Sequence, residues 1–84
     1  MKAVLTYDTG SSTLEDLMKV FPRHKQYLED FKKENTVIGI GPFKDRKGSM
    51  AIFLDVETAA KFSRNDPFVI EGLAQNIQIR EWAD

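Results

Sequence analysis

The chain has 84 residues, 42% hydrophobic and 30% charged, with a formal net charge of −1 and no cysteine. This balance fits one folded domain spanning residues 1–84 and excludes disulfides and thiolate metal sites. Lysines and arginines are dispersed among acids, which argues against nucleic-acid binding, and no apolar run reaches membrane-spanning length.

A chain this short buries only about 60–65% of its unfolded surface, so a further source of stability is expected, and self-association is the obvious one. The N-terminus runs directly into a strand-like pattern without signal-peptide organisation, so a cytoplasmic location is expected.

Residues 2–7 are rich in β-formers and are closed by the polar cluster Asp8-Thr9-Gly10-Ser11-Ser12, which predicts a first strand. Ser12 or Thr13 can cap a helix, with Glu15 and Asp16 placed near its positive end. The helical pattern continues from 14 to about 35, with a break or kink expected just before Pro22. Leu17, Phe21, His24, Leu28 and Phe31 recur at three- and four-residue steps and predict the inward stripe. His24 is the only histidine, and Pro22, favoured at a helix start, would place it in a first turn pointing inward. Lys32 and Lys33 suit the C-terminal end, and Asn35 can take the left-handed stop.

Residues 36–43 form a short β-branched run, the second strand, and 44–48 a charged hairpin loop. Residues 49–55 return as a third strand, antiparallel to the second. Asp55 can cap a helix over 56–64, with Ala59, Ala60 and Phe62 available for its buried side. Asn65-Asp66-Pro67-Phe68 breaks that helix and starts a short turn that Gly72 ends. Residues 74–82 alternate and predict a fourth strand. The order βαββαβ predicts an α+β, ferredoxin-like fold: a four-stranded antiparallel sheet with both helices on one face.

Strict alternation would set Val37, Gly39, Gly41 and Phe43 against Ile38, Ile40 and Pro42, and Met50, Ile52 and Leu54 against Ala51 and Phe53. The two central candidates therefore read apolar on both faces, whereas a sheet with one wet face alternates apolar and polar. Two helices cover one face only. The other is expected to pack against the sheet of a second copy, giving a homodimer that can assemble further.

Asp66 is the first candidate partner for His24. An aspartate directly before a proline is a good N-cap, and a capping carboxylate can still accept a second hydrogen bond. If it reached His24, it would orient the ring and fix its tautomer, and such a pair suits proton transfer. The alternative is a buried histidine kept for structure. Gly39 and Gly41 mark either close packing onto bare backbone or the wall of a ligand site; without a third glycine and a following helix they form no phosphate loop. Tyr7, Tyr27, Phe43, Phe53, Phe68 and Trp82 are core or interface by default, and two or three of them can line an apolar pocket. The serines lie in no nucleophile-elbow context, and one histidine with scattered carboxylates offers no metal-ligand spacing.

The combination of P-x-H on the first helix (Pro22, His24), G-P ending the second strand (Gly41, Pro42) and N-D-P-F (Asn65 to Phe68) before a glycine-ended turn resembles the YciI-like, or YCII-related, family. The likeness runs from the first strand to Trp82. It implies a ferredoxin-like subunit of a dimeric α/β-barrel, similar in fold to muconolactone isomerases and small cofactor-free monooxygenases. It also implies a pocket with a His–Asp pair, which falls on His24 and Asp66. Some members of the family are associated with dehydrochlorination of chlorinated hydroxyhydroquinones, with the pair in acid–base roles. One position departs: an arginine common just before the proline is Phe21 here, and Arg23 lies one step beyond it.

The leading expectation is a cofactor-independent enzyme that uses His24 and Asp66 for elimination or isomerisation of a small aromatic or apolar molecule. That molecule would be held among Gly39, Gly41, Pro42, Phe43 and Phe68. The alternative is a non-catalytic dimeric module that binds a small ligand or a partner.

Overall fold

The computed structural model describes residues 1–84. The strands are β1 (Lys2–Asp8), β2 (Val37–Pro42), β3 (Gly48–Phe53) and β4 (Gln75–Trp82), and the helices are α1 (Leu14–Lys32), α2 (Val56–Asn65) and α3 (Pro67–Ile70). The four strands form one sheet in the order β2-β3-β1-β4 with every pairing antiparallel, which is the ferredoxin-like α+β arrangement. No helix is long and apolar enough to cross a membrane.

The core forms where the helices cover one sheet face. Ala3 and Leu5 from β1 and Ala51 and Phe53 from β3 meet Phe31 of α1 and Ala59 and Phe62 of α2. Phe62 is the hub, in ring contact with Tyr27, Phe31 and Phe53 at centroid separations of 5.0 to 5.2 Å. Each such aromatic pair adds about 0.5–1.5 kcal/mol beyond the area it buries.

α1 differs from expectation. It starts on a capping box, with Asp16 N donating to Thr13 Oγ1 at 3.1 Å and Thr13 N donating to Asp16 Oδ2 at 3.3 Å. It then runs through Pro22 without a break. A proline removes one backbone donor and crowds the preceding turn. Here Val20, His24 and Phe31 are buried on both sides of it, and packing holds the helix together. The inward stripe is also rotated: Val20 is buried, whereas Phe21 is 50% exposed. At the far end Asn35 takes the left-handed conformation (φ 57°) that stops the helix.

β2 also departs from strict alternation. Val37 pairs with Phe53 but Gly39 pairs with Ile52, so Ile38 is an extra residue, a bulge. The bulge puts Val37 and Ile40 on the same face, and both pack against the core. Gly39 and Gly41 fall opposite Ile52 and Met50, on the face turned away from the helices. β3 ends at Phe53, and Leu54 leaves the sheet while Asp55 caps α2 by accepting from Thr58 N at 2.7 Å. Ala59, Phe62 and Ser63 form the buried side of α2.

The sheet face away from the helices carries Val4 and Thr6 of β1, Met50 and Ile52 of β3, and Gln78 and Arg80 of β4, aligned by the strand registers. Nothing in the single chain covers it.

Candidate active site

The site is assembled at the junction of three elements. His24 lies midway along α1 rather than in its first turn, well away from the N-terminus of that helix. Asp66 sits between α2 and α3. Its extended backbone (φ −65°, ψ 126°) ends one helix and begins the next, and Pro67 occupies the first position of α3. That geometry is what the Asn65-Asp66-Pro67 sequence dictates, because a residue before proline avoids the helical region.

Asp66 Oδ1 accepts from Phe68 N at 3.0 Å and lies 2.8 Å from His24 Nδ1. Capping and pairing therefore coexist on one oxygen. The carboxylate is 0% exposed and His24 is 8% exposed. An ionised carboxylate is acceptor-only, so it is Nδ1 that carries the hydrogen in the neutral ring, and Nε2 is left with the lone pair. Phe68 stacks on the imidazole, with centroids 4.3 Å apart and planes inclined by 24°. Phe21 flanks the ring at 6.3 Å.

Two tyrosines feel the Asp66 charge. Burial pushes the Tyr27 phenol up to about 12, with Asp66 adding to the shift, and Tyr27 donates to Phe62 O at 3.0 Å. Burial pushes the Tyr7 phenol further up, again helped by Asp66, while the Ser49 hydroxyl acts in the opposite direction. Arg23 forms an exposed ion pair with Glu71 at 3.2 Å, joining α1 to the end of α3. It is engaged there as a clasp and points to no anion site.

Of the residues expected to line a binding site, Phe68 is brought against the pair. Gly39, Gly41, Pro42 and Phe43 lie along and just beyond β2, an edge strand. A side chain built on either glycine would meet nothing within 4 Å, and both glycines face the open side of the sheet, opposite the helices that carry His24 and Asp66. The bulge at Ile38 and the edge position of β2 are the physical reasons they do not join the pair. Sequence reasoning gave Tyr7 only as a default core aromatic. In the structure Tyr7 is buried in alternation with Ala3 and Leu5 along β1, and nothing in the local sequence ties it to Asp66. Gly48 was assigned to the hairpin loop, yet it begins β3, and a side chain there would come within 2.3 Å of the Tyr7 carbonyl oxygen. Its bare backbone permits the close approach that fixes the end of β1.

Comparison with curated proteins finds no match. Among solved structures, the chain is similar to 5-chloro-2-hydroxyhydroquinone dehydrochlorinase (TftG) from Burkholderia phenoliruptrix AC1100, determined in complex with 2,5-dihydroxybenzoquinone. The TM-score is 0.82 at 24% identity, over 98% of this chain and 93% of that one, a likeness of fold. The description "YCII-related domain" matches residues 1–83. With the whole domain matched and the fold in agreement, the chain belongs to the YCII-related family.

Proposed function

We propose that this protein is a cofactor-independent enzyme in which His24 is the general acid/base and Asp66 its orienting carboxylate. The observation that carries the reading is the 2.8 Å contact between His24 Nδ1 and the buried Asp66 Oδ1, which leaves Nε2 free. A substrate O–H or C–H gives its proton to Nε2. Its bonding electrons form the new π bond, and the leaving group departs with the electron pair of its own bond. Asp66 balances the imidazolium that results, and the ring then releases the proton to the product side or to solvent. Returning it to a different carbon instead would give isomerisation.

Phe68 and Phe21 suit the pair to a small aromatic substrate, by supplying ring faces beside the imidazole. TftG is a dehydrochlorinase and its complex holds a dihydroxylated quinone. A hydroxylated, halogenated ring is therefore the substrate class proposed here. The uncovered sheet face with Val4, Met50 and Ile52 supports a homodimer packed sheet to sheet, which would place Gly39 and Gly41 at the interface.

The experiment is turnover of a panel of hydroxylated and chlorinated aromatics, followed by ring absorbance and chloride release. His24→Ala and Asp66→Asn are each expected to lose at least about 100-fold, the usual contribution of a positioned acid/base. Turnover that survives both substitutions overturns the assignment. A structural role for the pair is favoured by the Asp66 bond to Phe68 N, and it predicts the other outcome: lower thermal stability in His24→Ala with ligand binding intact.

A further inference from the structure

Gly39 and Gly41 have no explanation within the single chain. Glycine weakens a strand and is kept where the backbone needs it or another group comes close. Neither applies here: both glycines lie outside the positive-φ region, and a side chain built on either would meet nothing within 4 Å. The group that approaches them therefore comes from outside the chain.

The strand registers show what shares their face. One row across the sheet reads Gly39, Ile52, Val4, Arg80, and the next reads Gly41, Met50, Thr6, Gln78. Each row runs from no side chain on β2 to a long polar one on β4, and these two strands are the edges of the sheet. Arg80 forms no ion pair within the chain. A guanidinium has donors only, so covering this face requires acceptors to replace its water. As an edge strand, β2 has an outer row of carbonyls without strand partners.

A two-fold axis that turns one sheet over onto another lies in the plane between them, which leaves two aligned arrangements. An axis across the strands stacks β2 on β2 and β4 on β4. Bare glycines then face bare glycines and leave a void at one edge, while Arg80 and Gln78 of both copies crowd together at the other. An axis along the strands stacks β2 on β4 and lays each row on its own reverse. Gly39 then faces Arg80, Ile52 faces Val4, Gly41 faces Gln78 and Met50 faces Thr6. Every stacked position pairs a larger side chain with a smaller one, which is how facing layers interdigitate at native density.

We propose that two copies pair about an axis running along the strands, with Arg80 and Gln78 of each copy seated over the bare β2 backbone at Gly39 and Gly41 of the other. There the Arg80 guanidinium donates to the edge carbonyls of β2. The proposal rests on the reading of the protein as a sheet-to-sheet homodimer and gives that dimer its register.

The chain has no cysteine, so introduced thiols report alone. Gly41→Cys and Gln78→Cys chains are co-expressed and treated with a short bismaleimide. The expected product is a two-chain species on a denaturing gel, formed by the mixture and not by either variant alone. Like positions in this arrangement lie three strand spacings apart, about 14 Å, before the gap between the sheets is added. A Gln78→Cys protein that cross-links to itself, with no mixed product, puts β4 on β4 and overturns the proposal. A size swap gives a second reading. Gly41→Leu fills space that is open in the single chain, yet it is expected to weaken the dimer at least about 10-fold on dilution in light scattering. Adding Gln78→Ala recovers most of that loss, and a dimer indifferent to Gly41→Leu is equally fatal. An unsubstituted protein that stays monomeric leaves the face to another partner and overturns the proposal together with the homodimer, whereas a dimer with the wrong cross-links overturns the register alone.

Discussion

At Asp66, one oxygen holds Phe68 N at 3.0 Å and faces His24 Nδ1 at 2.8 Å, so the group that starts α3 also sets the tautomer of the histidine. A bond made to a side chain can be lost without unfolding a helix, whereas this one is held by the backbone turn that needs it. The ring it orients is covered on one side by Phe68, and Nε2 is the ring nitrogen that Asp66 leaves free. Tyr27 and Tyr7 show what burial does to a phenol, with the Asp66 charge adding to it. The unfolded chain ionises its phenols near 10.0, while the folded chain holds the Tyr27 proton to about 12. Between those values the unfolded state binds fewer protons than the folded one, so stability falls as pH rises. The contribution is complete below pH 10 and is lost towards 12. Urea midpoints measured between pH 8 and 11.5 should fall above 10, and Tyr27→Phe should flatten part of that decline. A profile that stays level through this range contradicts the buried-phenol account.

Among the elements, α1 shows where local rules and tertiary packing part company. The residues that start and stop it were legible, since Thr13, Asp16 and Asn35 act where their chemistry predicts. The expected break at Pro22 was not borne out, because burial of Val20, His24 and Phe31 is a long-range fact that no window around the proline contains. The same holds for β2, where period-two reading assigned Val37 and Ile40 to opposite faces and a bulge at Ile38 put them together. In the site, Asp66 was legible because the N-cap signature before a proline is local. Tyr7 was not, because its relation to Asp66 spans the sequence from β1 to α3. If packing carries α1 across Pro22, restoring the missing donor should strengthen it. Pro22→Ala is expected to raise stability by about 1–3 kcal/mol in urea denaturation, the range set by proline's helix-interior penalty. An unchanged or lowered midpoint would mean that the proline ring contributes packing that outweighs the recovered bond.

For the whole molecule, one sheet face is closed by helices and the other presents Val4, Met50 and Ile52 beside Thr6, Gln78 and Arg80. An 84-residue chain with no disulfide gains most from covering that face with a second copy. Ile52 is half-buried there at the centre of the sheet, so Ile52→Asp should convert a dimer to monomer in multi-angle light scattering, with roughly half the mass expected of a two-copy assembly. A monomeric unsubstituted protein at micromolar concentration, or a variant that still dimerises, contradicts sheet-to-sheet pairing.

A His24–Asp66 pair that meets a small aromatic ligand must report that ligand through the imidazole. The most direct test follows the imidazole signals of the single histidine while 2,5-dihydroxybenzoquinone and related hydroxylated rings are added. Saturable shifts of the His24 ring signals are expected, lost in Asp66→Asn. Ring signals that stay fixed through the whole ligand series, in a protein that remains folded, would contradict it.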